Sequence, residues 1–107
     1  MKILILCAIC VLVADFVYSQ DVTVLQINAE WNKKNNYDLS DITGATIKFS
    51  YLKDQPKEVQ NKIMAVPVIV IMDESGRVRM QYVADISLQI KATHLEIQNT
   101  IDRIGKL

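Results

Sequence analysis

The sequence predicts a single α/β domain: two strands joined by a crossover, then a helix, a β-hairpin and a closing helix. Three stretches carry that prediction. Residues 46–52 alternate apolar and polar with the period of a strand, placing Ile47, Phe49 and Tyr51 on one face. Residues 68–72 are an apolar run, too short for a helix and rich in β-branched side chains; Asp73-Glu-Ser-Gly76 then turns the chain back along residues 77–84. Thr93-His-Leu-Glu96 is a capping box, followed by Ile97, Ile101 and Ile104 at helical spacing and by Gly105 as a stop.

The chain has 107 residues, the length of one domain. Its first residues differ in character from the rest. Met1-Lys2 precedes an apolar run from Ile3 to Ala14, and Ser19 closes the stretch as a small residue. This pattern predicts a secretory signal peptide over residues 1–19, cut after Ser19, with the domain proper over residues 20–107. Two alternatives stay open. Residues 3–18 could anchor the chain in a membrane, at the cost of placing Asp15 in lipid, or residues 2–13 could belong to the core.

Residues 21–28 alternate only loosely (Val22, Val24, Leu25, Ile27), as expected of a central strand covered on both faces. Trp31 and the polar residues 32–36 read as a turn. Residues 37–43 are expected to make one or two helical turns ending at Gly44. After the second strand, residues 53–56 open a helix with Pro56 in its first turn and Asp54 or Gln55 as cap, and Val59 and Ile63 on the inward face.

Twelve basic residues balance twelve acidic ones. A net charge of zero argues against a nucleic-acid partner, whose phosphates are held by an excess of Lys and Arg. It also gives no electrostatic reason to sit on an anionic membrane, and no stable membrane insertion is expected after processing. His94 is the only histidine and lies beside Glu96 with no companion for a metal set; it reads as a surface residue of the capped turn. The carboxylates are scattered, and there is no phosphate loop or nucleophile elbow, so neither a metal nor a cofactor is expected.

Ala29-Glu30-Trp31 at a strand end and Val66-Pro67 before an apolar strand together resemble the thioredoxin family. The resemblance spans residues 22–104 and implies a four-stranded mixed sheet in the order 2-1-3-4, flanked by helices. Only about nine residues separate Asn35 from Ala45, so the family's long first helix must be shortened or replaced by a loop. The family's Cys-x-x-Cys falls on Trp31-Asn32-Lys33-Lys34-Asn35, with asparagine at both cysteine positions. Its buried acid, five residues before the Trp, falls on Gln26. Redox exchange needs a thiolate nucleophile and a resolving thiol, and asparagine supplies neither. In the family, a cis-proline exposes the backbone of the residue before it to an extended peptide; Val66 is that residue in this chain.

These observations predict a domain without catalytic activity that binds a protein or extended peptide, or serves as a structural part, possible oligomer included. The expected contact residues are Trp31, Asn32, Lys33, Lys34, Asn35, Val66 and Pro67. Its expected location is outside the cytoplasm, being periplasmic, secreted or virion-associated. The last option rests on similarity to short exported thioredoxin-like chains of some bacteria and their phages. The rival reading is a thiol-disulfide oxidoreductase that uses Cys7-Ala-Ile-Cys10 in an uncleaved chain.

Overall fold

The computed structural model describes residues 22–105. The expected signal peptide, its cleavage site and Cys7 and Cys10 lie outside the described residues. Four strands, β1 (Thr23–Asn28), β2 (Thr46–Tyr51), β3 (Val68–Met72) and β4 (Val78–Val83), form one sheet in the order β2-β1-β3-β4. β1 runs parallel to β2 and antiparallel to β3, and β3 pairs antiparallel with β4. Two α-helices flank the sheet, α1 (Lys57–Lys62) between β2 and β3 and α2 (His94–Gly105) after β4. The expected sheet order and closing helix are both present.

The two central strands are buried along their whole length, which explains why neither alternates cleanly in sequence. Their side chains divide into two layers. Val22, Val24, Ile69 and Ile71 pack with Ile97, Ile101 and Ile104 of α2 and with Leu39 and Ile42 of the crossover. On the other side, Leu25, Ile27, Val68, Val70 and Met72 pack with Val59 of α1, and Leu52 and Ile63 border them.

The crossover from β1 to β2 departs from expectation. Its helical turns are 3-10 and occupy Glu30–Asn35, with a kink at Asn32, where the sequence reads as a polar turn. Residues 37–43 form no helix. Asp38 accepts the Ser40 amide (2.9 Å), a local hydrogen bond that competes with a helical start. Gly44 ends the crossover at φ +81°, a conformation that costs a residue with a Cβ about 1–2 kcal/mol. Helix α1 also starts later than expected. Pro56 is its N-cap, with no side-chain cap, and neither Asp54 nor Gln55 plays that part. Gln55 is instead buried and donates to Ser50 Oγ at 2.8 Å. The capping box of α2 forms as read: Thr93 N–H donates to Glu96 Oε1 (2.9 Å) and Glu96 N–H to Thr93 Oγ1 (3.1 Å).

Ile47, Phe49 and Tyr51 do share one face of β2, but the short crossover leaves that face half open. Ile47 is 38% and Phe49 45% exposed. Beside them lies a groove of about 370 Å³ lined by Gln26, Tyr37, Leu39, Ile42, Ile47 and Phe49 among others.

The β3–β4 hairpin is pinned by Asp73. One of its carboxylate oxygens accepts the Ser75 hydroxyl (2.6 Å) and the Ser75 and Arg77 amides (3.0 Å each). The other lies 3.3 Å from Arg79, the extra residue of a bulge opposite Ile71 and Met72. Burial by itself pushes this carboxyl upward. The hydrogen bonds from Ser75 and Arg77, with Arg79, outweigh it and hold the carboxyl below the usual aspartate value. A depressed carboxyl contributes stability above the ordinary carboxylate range and loses it as pH falls below that range. Asp73→Asn is therefore expected to lower stability by about 1–2 kcal/mol at pH 7 in urea titrations, with the gap to wild type closing in acid.

Candidate functional site

The polypeptide reverses direction at one end of the sheet, after Asn28 of β1, before Val68 of β3 and after Val83 of β4. These are the segments in which the sequence places its candidate site, and buried amides join them. Asn28 ends β1 at 0% exposure, and Asn32 sits at the kink of the 3-10 turn at 2%.

A buried amide must find partners for both its oxygen and its two protons. Asn28 fills every position. It donates to Asn32 O (3.0 Å) and Asn36 Oδ1 (2.6 Å), and its Oδ1 accepts the Ala29 amide (2.8 Å) and Asn32 Nδ2. The two protons on Asn32 Nδ2 are shared among three oxygens, each 3.3 Å away: Asn28 Oδ1, Val66 O and Leu88 O. Asn32 Oδ1 accepts Asn35 Nδ2 at 2.7 Å, and Asn35 Oδ1 in turn accepts from Gln89. One side chain thus ties the 3-10 turn to the Val66–Pro67 segment and to the loop after β4. Leu88 presents its carbonyl from a left-handed conformation, φ +64°.

The expected contact residues do come together, at two levels. Trp31, Lys33 and Lys34 are on the surface and Asn35 is half-buried, whereas Asn32, Val66 and Pro67 lie beneath it. The Val66–Pro67 peptide bond is cis. The Val66 carbonyl, a candidate acceptor for an incoming peptide, already accepts the Asn32 amide.

Sequence reasoning missed Met64 and Ile86. Trp31 is 72%, Met64 92% and Ile86 100% exposed. Each stands within two residues of a position that the Asn32 amide joins, on the segments that meet at one end of the sheet. Beside Trp31, Glu30 pairs with Lys53 at 2.7 Å. That hydrogen bond and charge hold the Glu30 carboxyl low and the Lys53 ammonium high.

Gln26 is also buried, and both ends of its amide engage the backbone of Tyr37. Its Oε1 accepts the Tyr37 amide (2.7 Å) and its Nε2 donates to the Tyr37 carbonyl (2.9 Å). A carboxylate there could not donate the second of these bonds. Among the described residues no three His, Cys, Asp or Glu side chains cluster as metal ligands. No described helix is long and apolar enough to cross a membrane.

Comparison with solved structures identifies a point-mutant thioredoxin from Halobacterium salinarum NRC-1 as similar, at a TM-score of 0.61. The match covers 87% of this chain and 82% of that one at 16% identity. The fold is thioredoxin-like. No protein-family model and no curated protein sequence matches the chain.

If the Asn32 amide holds the three segments together, its loss must destabilise the domain. Asn32→Ala is expected to cost about 2–3 kcal/mol in urea denaturation, because buried acceptors lose their donor. Asn32→Asp should cost at least as much at pH 7, where it would aim a carboxylate oxygen at carbonyl oxygens, and should recover partly in acid. Asn35→Ala, which is closer to the surface, should cost less than either.

Proposed function

We propose that this chain is a non-catalytic thioredoxin-like domain, exported from the cytoplasm, that docks a protein or extended peptide at the end of the sheet carrying Trp31. The observation that carries this reading is the joint exposure of Trp31, Met64 and Ile86 on three segments tied together by a buried amide network. Large exposed apolar groups that gather into one patch mark contact surfaces, and this reading takes the three as such a patch. A contact that needs no ordering of its loops loses less entropy on binding.

Within this reading the seven expected residues divide the work. Trp31 meets the partner, with Lys33 and Lys34 at the rim, while Asn32, Asn35, Val66 and Pro67 hold the platform. The non-catalytic part of this reading rests on chemistry at one turn: an amide at Asn32 and Asn35 is neither nucleophile nor leaving group in disulfide exchange.

The test joins partner capture to a thiol assay. Trp31→Ser and Ile86→Ser should each weaken capture of a native partner about tenfold or more, with unfolding midpoints unchanged. Unaltered capture by both variants would remove this surface from consideration. Intact mass of the natively produced protein is expected to begin at Gln20 and not to shift on alkylation. A full-length mass with reactive thiols, together with reduction of insulin disulfides, would instead support the oxidoreductase reading on Cys7 and Cys10.

A further inference from the structure

Strand β2 is an edge of the sheet: among the described residues it pairs with β1 alone. The Thr46 amide donates to the Val22 carbonyl at 2.9 Å, so Thr46 faces β1. Backbone groups of successive strand residues point to opposite sides, which turns those of Ile47, Phe49 and Tyr51 towards the open edge. Among them the Tyr51 carbonyl accepts Ser50 Oγ (3.1 Å), and its second lone pair remains for a neighbouring strand. The same three residues carry the apolar face of the strand. Phe49 meets Tyr51 edge-on, with centroids 5.0 Å apart, and Ile47 and Phe49 keep one side in water.

Sheet edges are commonly guarded against further pairing by bulges and charged side chains. The opposite edge, β4, has both devices at Arg79. Strand β2 pairs with β1 in an unbroken register, and its one charged side chain, Lys48, alternates onto the other face from Ile47, Phe49 and Tyr51. One edge is closed to addition and the other is left open.

The sequence of the open edge is complementary to itself. When two copies of one strand pair antiparallel, outward residues must meet outward residues, so the two-fold axis passes through one residue and its own copy. Centred on Phe49, the register sets Phe49 against Phe49 and Ile47 against Tyr51 in both directions. All three outward residues are used, and apolar side chains meet apolar ones. On the other face Lys48 meets Ser50, so the one charge of the strand faces a hydroxyl. Centring on Lys48 would oppose two ammonium groups, and centring on Ser50 would set Ile47 against Lys53. Charge and polarity together select one register.

We propose that β2 is a homodimer edge, at which two copies of this chain pair antiparallel through residues 46–51, centred on Phe49, into one continuous sheet. A two-fold axis normal to the sheet keeps the Ile47 and Phe49 faces of both copies on the same side, where the two grooves border one another. It turns the two Trp31 ends in opposite directions and uses none of the residues of the proposed docking surface. Six residues per copy make a contact smaller than the roughly 1,600 Å² of a standard interface, so the dimer is weak, with a Kd of about 10–100 μM.

Sedimentation equilibrium of the natively produced protein between about 5 and 500 μM should pass from monomer to dimer, and Phe49→Lys should raise the Kd about tenfold or more. Cysteine variants read the register without depending on the folding of Phe49→Lys. In a chain carrying Cys7→Ser and Cys10→Ser, mild oxidation should link Phe49→Cys to its own copy, because directly opposed residues lie about 5.5 Å apart between Cα atoms, within disulfide reach. Lys48→Cys and Ser50→Cys, whose own copies lie on the diagonal, should link about tenfold more slowly. A chain that stays monomeric throughout this range would overturn the proposal, whether or not an extended peptide or another protein adds to the edge instead. A dimer in which Lys48→Cys or Ser50→Cys links as fast as Phe49→Cys would overturn it as well.

Discussion

Two buried amides set the arrangement of the loops at one end of the sheet. Asn28 and Asn32 lie out of reach of water, so every proton and lone pair they leave unmatched costs about 1–3 kcal/mol. Satisfying Asn32 requires the Val66 and Leu88 carbonyls to stand at hydrogen-bond distance from the 3-10 turn at the same time. That requirement fixes three loops relative to one another and hence the places of Trp31, Met64 and Ile86. A thiol at position 32 would offer one weak donor where the amide offers two strong ones. The amide therefore suits a structural junction at this position.

A second constraint comes from the shortness of the crossover. Nine residues between Asn35 and Ala45 are too few for a long helix plus its return to β2. The chain instead holds the loop at its start with Gln26, at its middle with His94 and near its end with Gln98. Leu39 and Ile42 still reach the core, but Ile47 and Phe49 keep one side towards solvent. The groove is thus a direct consequence of chain length, and polar contacts to the loop take over part of the work of a packed helix.

Much of the fold was legible because it rests on local pattern. Continuous apolar runs marked the central strands, alternation marked β2, and the Thr93–Glu96 box marked the start of α2 to the residue. The 3-10 turn was not legible, since Trp-Asn-Lys-Lys-Asn-Asn has no apolar period and forms its helical turns around one buried side chain. Helical turns were expected after Tyr37, but the Gln26 clamp and the Asp38–Ser40 bond favour an irregular path. The half-exposure of Phe49 depends on what lies across the sheet, which alternation cannot report. The sequence pointed to Trp31, Asn32 and Val66 as neighbours, and Asn32 does reach Val66. It could not say that Asn32 is buried, because its partners at Val66 and Leu88 are distant along the chain. Pairing of His94 with Asp41 was hidden for the same reason.

The central claim is that Asn32 is a buried, fully committed amide joining three segments. The most direct measurement is exchange of its side-chain NH₂ protons with water in ¹⁵N-labelled protein, compared with exposed Asn61 and Asn99. The account predicts a resolved pair of Asn32 protons exchanging at least about tenfold more slowly than those references. Asn32 protons that exchange as fast as those of Asn61 and Asn99 would place the side chain in solvent and contradict it.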